Sequence, residues 1–375
     1  MKDKKNIHTK SNFRKGRNRM MVVKKQVLTL QAYTPGRTVD EVKKMYGLDQ
    51  IVKLASNENP FGSSSKIRDA IYNQLEDYAI YPDGAARKLK ERVAEHLQVP
   101  EEQLIFSAGL DELIQMLSRS ILDADSNTVM ADETFSQYKH HAVIEGAEIR
   151  EVPLKNGVHD LDAMLDQIDS NTKIVWICNP NNPTGTYVNK LTLEAFLDQV
   201  PNHVLVVLDE AYYEYVTAED YPQTIPYVDK YDNVIVLRTF SKAYGLASFR
   251  IGYGVGKPEL ISHLDIGRLP FNTSSLAHIA AITALDDQEF VENSVKKNAE
   301  GRELFYQFFN ENNISYFPSE GNFVYFQLPH HTSQEAFEHL MKQGYIIRAF
   351  PKALRVTVGS QEQNEGVIRL LKEML

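Results

Sequence analysis

Apolar runs and helically spaced apolar positions alternate along this chain from Leu104 onward. Leu104-Ile105-Phe106 reads as a strand, and behind Ser107-Ala108-Gly109 the residues Leu113, Ile114, Leu117 and Ile121 recur on one helix face. Residues 127–131, 174–178, 204–208 and 234–239 are further strand-like runs. Val204-Leu205-Val206-Val207-Leu208 has no polar alternation, the mark of a parallel strand covered on both faces. The β-α-β-α order predicts a doubly wound α/β unit over roughly residues 60–270. After Pro270-Phe271-Asn272-Thr273-Ser274 the pattern changes. A long helical stretch through Leu285 and Phe290 to about Phe309 precedes a strand at 322–326, then helix, strand and a final helix over 362–375. This part reads as a smaller α+β unit.

A chain of 375 residues suits either two or three domains or one large α/β domain with a smaller companion. Hydrophobic residues make up 43%, enough for a large core. One cysteine, Cys178, excludes an intramolecular disulfide framework and points to a reducing, cytoplasmic compartment. No run of 18 apolar residues occurs, so no membrane-spanning helix is expected. The net charge of -9 is uneven: residues 1–26 hold ten Lys/Arg and one acid, which leaves 31 basic and 49 acidic residues in the body. An acidic body repels nucleic acid. The basic head has no aromatic interleaving and no helix-turn-helix pattern, and Met20-Met21-Val22-Val23 is too short for a signal-peptide core. It is expected to be a disordered extension, or a start upstream of a native Met20 or Met21.

Ligands of open α/β sheets bind beyond the carboxyl ends of the strands, and four of these ends carry unusual residues. One run ends in Asn179-Pro180-Asn181-Asn182-Pro183-Thr184-Gly185, another in Asp209-Glu210-Ala211-Tyr212, and a third in Thr239-Phe240-Ser241-Lys242, with Arg250 eight residues on. The fourth, Ser107-Ala108-Gly109-Leu110-Asp111, opens a helix whose free N–H groups suit a phosphate. A lysine desolvated at such a site can lose its proton near neutral pH and attack a carbonyl. If the carbonyl is the aldehyde of pyridoxal phosphate, Thr239, Ser241 and Arg250 lie within reach of its phosphate. Each segment also has a plain structural reading, as a turn, a helix cap or a solvated lysine. Together they supply an amine, a carboxylate for a pyridinium nitrogen, donors for a ring hydroxyl and a phosphate cradle.

On these segments the chain resembles the fold-type I pyridoxal-phosphate-dependent aminotransferases, and among them the histidinol-phosphate aminotransferase family of Gram-positive bacteria. Leu54-Ala55-Ser56-Asn57-Glu58-Asn59-Pro60, Tyr81-Pro82-Asp83-Gly84, Asn181 to Gly185, Asp209 to Tyr212, Ser241 to Leu246 and Leu354-Arg355-Val356-Thr357-Val358-Gly359 carry the likeness, which runs from about residue 27 to the end. It implies an arm over 27–60, a large cofactor-binding domain over 61–270 and a small domain over 271–375. It also implies that Lys242 carries the cofactor and shuttles the substrate proton, and that Asp209 pairs with the ring nitrogen. Asn182 and Tyr212 would bond the ring hydroxyl, and Phe135 would stack on the ring. The phosphate would be held by the Leu110 and Asp111 amides, Thr239, Ser241, Arg250 and Tyr81 from a neighbouring subunit, hence a homodimer with shared active sites.

By the same resemblance Arg355 forks a substrate carboxylate, Arg348 supplies a second cation, Asn182 also borders the substrate, and Tyr33 closes over it. The expected reaction joins histidinol phosphate and 2-oxoglutarate to imidazole-acetol phosphate and glutamate, in histidine biosynthesis. The loop Ala349-Phe350-Pro351-Lys352-Ala353-Leu354 is shorter than in many relatives, which bears on substrate breadth. An aromatic amino-acid aminotransferase and a pyridoxal-phosphate-dependent decarboxylase of an amino-acid phosphate are the enzymatic alternatives. A DNA-binding regulator using the basic head is the third. His140-His141 and His330-His331 lack partners at metal-ligand spacing and are expected to be packing or surface residues.

Overall fold

The computed structural model describes residues 23–31, 37–74 and 78–375. A short strand, β1 (Val52–Lys53), precedes a seven-stranded sheet. Its strands are β2 (Leu104–Ser107), β3 (Asn127–Ala131), β4 (Glu148–Val152), β5 (Thr172–Cys178), β6 (Leu205–Asp209), β7 (Val234–Thr239) and β8 (Gly252–Gly256), in the spatial order β2-β8-β7-β6-β5-β3-β4. All neighbours pair in parallel except β8, which is antiparallel to both β2 and β7. From Ile174 to Cys178, and throughout β7, the strand residues are buried, as the unbroken apolar runs require. This is a mostly parallel, doubly wound α/β architecture.

The strands at 148–152 and 252–256 are absent from the sequence reading, the second because Gly-Tyr-Gly-Val-Gly has little strand propensity. Its glycines have a packing reason. A Cβ at Gly252 would lie 3.1 Å from Leu110 Cδ2, and one at Gly254 would lie 3.0 Å from Leu113 Cδ2. Their absence lets the helix Leu110–Ile121 sit close on the sheet, which sets the position of its N-terminus.

The second core is separate from the first. β9 (Ser315–Phe317), β10 (Phe323–Gln327), β11 (Tyr345–Ile346), β12 (Arg348–Ala349) and β13 (Leu354–Thr357) follow, and four of them form an antiparallel sheet in the order β12-β13-β10-β9. Phe305, Phe309, Val324, Phe326, Val356 and Leu371 fill its core, together with Leu54 from the amino-terminal arm. The arm is tied in by β1, which pairs in parallel with β11. The helix Ser275–Leu285 lies on the large sheet's side, where Ala277, Ala280, Ala281 and Ala284 share a core with Ile67, Leu89 and Val93. Within the basic head, the described residues begin at Val23, and Lys24 pairs with Glu145 at 2.8 Å. No helix among the described residues is long and apolar enough to cross a membrane.

Candidate active site

The carboxyl ends of β2, β3, β5, β6 and β7 open onto a cavity of about 280 Å³, closed on its other side by Ala55, Ser56, Asn57 and the β12–β13 hairpin. Lys242 enters it from the turn after β7, where its Nζ donates to the Ser56 carbonyl at 3.2 Å. Burial, helped by the neighbouring positive charge of Arg355, lowers its pKa to about 8. A lysine so placed is neutral in a large fraction of molecules under mildly alkaline conditions.

Asp209 ends β6 at 3% exposure. Burial raises its pKa to about 6, against the opposing effect of two donors. Tyr138 O–H donates to Oδ2 at 2.6 Å and the Ala211 N–H to Oδ1 at 3.1 Å. A carboxylate has about four acceptor positions, so this buried anion has capacity left for a cation or a further donor. The next residue, Glu210, faces away from the cavity and bonds Arg238, itself 3.4 Å over the Tyr213 ring. Arg238 of that pair also borders a second cavity of about 260 Å³.

Tyr212 O–H is met by the side-chain amides of Asn57 at 2.9 Å and Asn182 at 3.3 Å. Burial pushes its phenol well above the ordinary range, so it stays protonated. Asn182 follows the turn through Asn181, which Thr134 and Glu133 hold by side-chain and backbone bonds at 2.7 and 3.0 Å. Phe135 lines the wall and meets Tyr138 edge-on at 5.6 Å.

At the other end of the cavity the helix Leu110–Ile121 begins after Gly109, whose φ is +78°. No side chain caps this terminus, so the Leu110 and Asp111 amides face the cavity with the positive end of the helix dipole. Arg250 stands beside them, 3.7 Å from Asp111 and bonded to the Ala247 carbonyl at 3.1 Å. Thr239 and Ser241 complete this corner, with the Ser241 N–H on Thr239 Oγ1 at 3.1 Å.

The small sheet contributes the cations. Arg348 and Arg355 are directly paired across β12 and β13, and both line the cavity. Arg355 is 8% exposed; it donates to Asn182 Oδ1 at 2.5 Å and to the Ala55 carbonyl at 2.7 Å.

Twelve of the expected site residues thus line one cavity. Tyr81 does not: it is 76% exposed and stacks on Phe271 at 4.6 Å. Tyr33 lies outside the described residues. Sequence reasoning gave no role to Asn57, Thr134, Tyr138 or Phe350. Asn57 was within reach, since it sits in the quoted Leu54 to Pro60 segment; a tyrosine inside a helix gives no such signal.

An amine, a buried carboxylate, an anion cradle and a pair of arginines on one α/β scaffold define a site for group transfer on a small anionic substrate. Residues 49–371 match the family model of class I and II aminotransferases, and the chain belongs to that family. It is 58% identical over 360 residues to histidinol-phosphate aminotransferase 1 of Bacillus cereus, covering 95% of this chain and 97% of that one. It is 52% identical to the histidinol-phosphate aminotransferase of Geobacillus thermodenitrificans, covering 95% and 98%. The crystal structure of histidinol-phosphate aminotransferase from Sinorhizobium meliloti in complex with pyridoxal-5'-phosphate has a TM-score of 0.86 at 25% identity, over 96% of this chain and 100% of that one. The chain is a transaminase that groups with the histidinol-phosphate aminotransferases.

Proposed function

We propose that this chain interconverts histidinol phosphate and 2-oxoglutarate with imidazole-acetol phosphate and glutamate, using pyridoxal phosphate held in the cavity. The residues present fit that cofactor. Asp209 is a buried anion with acceptor capacity left, and the helix start at Leu110 and Asp111 offers open amides backed by Arg250. When bound, the cofactor supplies an aldehyde that takes up the substrate amine and a ring that accepts electrons from the α-carbon. Asp209 would hold the proton on the ring nitrogen, and Asn182 and Tyr212 would orient the ring hydroxyl. Phe135 would cover one ring face. Leu110, Asp111, Thr239, Ser241 and Arg250 would grip the phosphate. Lys242, with its lowered pKa, would take the proton from the substrate α-carbon and return it.

The observation that carries the substrate reading is the pairing of Arg348 with Arg355 at the cavity wall. One substrate brings a phosphate and the other two carboxylates, and two adjacent guanidiniums can meet either. The same two arginines could serve an aromatic aminotransferase, whose 2-oxoglutarate also brings two carboxylates; the 58% identity to a histidinol-phosphate aminotransferase favours the phosphate reading. Rates with histidinol phosphate, phenylalanine and tyrosine, each with 2-oxoglutarate, test this reading; a preference for either aromatic amino acid would overturn it.

The same reading divides the chain into an arm over 27–60, a large cofactor-binding unit over 61–270 and a small unit over 271–375; separate cores support two units, although Ala277 to Leu285 and Val291 pack in the core of the large one. It also takes the protein as a cytoplasmic homodimer. Tyr78, Ile80, Tyr81, Ile266, Leu269 and Phe271 are all exposed apolar or aromatic side chains, which supports a covered face. Tyr81 would then reach the partner's cofactor phosphate.

A further inference from the structure

We propose that Tyr138 is a positioning residue for the cofactor: its O–H, donated to Asp209 Oδ2, fixes the orientation and the charge of the carboxylate that meets the ring nitrogen. The inference rests on the reading that Asp209 meets that nitrogen. Tyr138 is fully buried on the helix Gln137–Glu145, and its ring is stacked 4.8 Å from Trp176 of β5. Phe135 closes its edge at 5.6 Å. The ring cannot turn away without breaking both contacts, so the hydroxyl is aimed. The 2.6 Å bond joins this hydroxyl, which also meets the Cys178 thiol, to an anion at 3% exposure.

The other groups facing Asp209 cannot replace this donor. Cys178, on the adjacent strand, keeps its proton because burial pushes its thiol up, and it donates to the Pro180 carbonyl at 3.4 Å. Asp111, from the helix above, and Glu210, next in the chain, are acids that disfavour a charge on Asp209. The Tyr212 hydroxyl accepts from the Asn57 and Asn182 amides, away from Asp209. The Ala211 N–H serves the other oxygen. Tyr138 is therefore the side-chain donor, among the described residues, that keeps this carboxylate ionised before the cofactor arrives.

The sign follows from linkage. Asp209 titrates at about 6 in the folded chain against an ordinary 3.8. In the cofactor-free protein its contribution to stability is therefore present below about pH 4 and is lost as pH rises through about 6. Removing the donor raises the folded pKa further. Tyr138→Phe should move the upper end of that window upward by about one to two pH units, a tenfold to hundredfold gain in proton affinity. Site-specific 3-fluorotyrosine at position 138 is a stronger donor in the same packing and should move it downward. Opposite shifts from two rings of nearly equal shape are not produced by a packing role.

The test is urea unfolding of the full chain freed of cofactor across pH 4–9, with a fluorescence titration of pyridoxal 5'-phosphate at pH 7 and pH 9. The expected result is opposite movements of the window and, for Tyr138→Phe, a cofactor affinity several-fold weaker at pH 7 with a smaller loss at pH 9. If Tyr138→Phe does not fold, the downward shift with fluorotyrosine alone carries the expectation. An unmoved window in the folded variants overturns the inference and leaves the cofactor reading intact. A moved window with unchanged cofactor affinity at both pH values overturns the inference and counts against the cofactor reading as well.

Discussion

Arg348 and Arg355 sit directly opposite each other on β12 and β13, with both side chains on the cavity wall. The hairpin between them closes through the Phe350 N–H on the Ala353 carbonyl at 2.8 Å. The short loop noted in the sequence is therefore the tight turn that sets the two arginines in register. Like charges facing each other across an antiparallel pair oppose folding. An anion bound between them removes that cost, which ties the hairpin's geometry to substrate choice.

Arg348→Ala separates the substrates. Loss of a charge-assisted hydrogen bond is worth roughly 1.5–3 kcal/mol, so kcat/KM for histidinol phosphate should fall about tenfold to a hundredfold. Phenylalanine has no anionic side chain, and its rate should fall much less. Without substrate, relief of the facing charges should leave thermal stability unchanged or raised by up to about 1 kcal/mol. Equal losses for both substrates would show that Arg348 does not read the phosphate.

Asp209 gives a stability test as well as a kinetic one. Asp209→Ala should cut turnover by about a hundredfold or more, since losing one member of a buried pair costs roughly 3–5 kcal/mol. In the cofactor-free protein, Asp209→Asn should be more stable than the parent at pH 8 by on the order of 2–3 kcal/mol, with the gain absent at pH 4. The reason is the desolvated carboxylate, whose pKa is raised to about 6. Urea midpoints at the two pH values check this, and a pH-independent difference would contradict it.

The residues at the strand ends were legible because buried apolar runs stop abruptly at Asn179, Asp209 and Ser241-Lys242, where a parallel sheet presents its chemistry. The two arginines were legible as residues but not as neighbours, because their register is set by a pairing that spacing alone does not encode. Tyr138 and β8 were illegible for different reasons. The first reads as an ordinary helical aromatic, and the second carries glycines where a strand carries branched residues. Tyr81 was read from its motif, and the fold turns it outward, away from its own cavity.

Gly109 tests the anion corner. Its φ of +78° suits glycine, and a Cβ there would collide with the Arg250 guanidinium. Gly109→Ala should therefore weaken pyridoxal phosphate binding about tenfold or more, because it displaces Arg250, whose charge-assisted hydrogen bond to the phosphate is worth roughly 1.5–3 kcal/mol. Equilibrium titration of the cofactor-free protein reads the change, and unaltered affinity would place the phosphate elsewhere.

Lys242 should set the pH dependence of cofactor capture. Only the neutral amine attacks the aldehyde, so the capture rate should rise with pH and level off above about 8. Lys242→Ala should abolish both the cofactor's lysine-linked absorbance and turnover. After borohydride reduction, peptide mapping should find the label on Lys242; label on another lysine would overturn the assignment.

Steady-state kcat/KM on the purified protein with histidinol phosphate, phenylalanine and tyrosine, each against 2-oxoglutarate, tests the central claim most directly. The paired arginines predict that histidinol phosphate is used at least tenfold better than either aromatic amino acid, with glutamate formed mole for mole. Equal or better use of phenylalanine or tyrosine would contradict the claim, and so would carbon dioxide released from an amino-acid phosphate without glutamate.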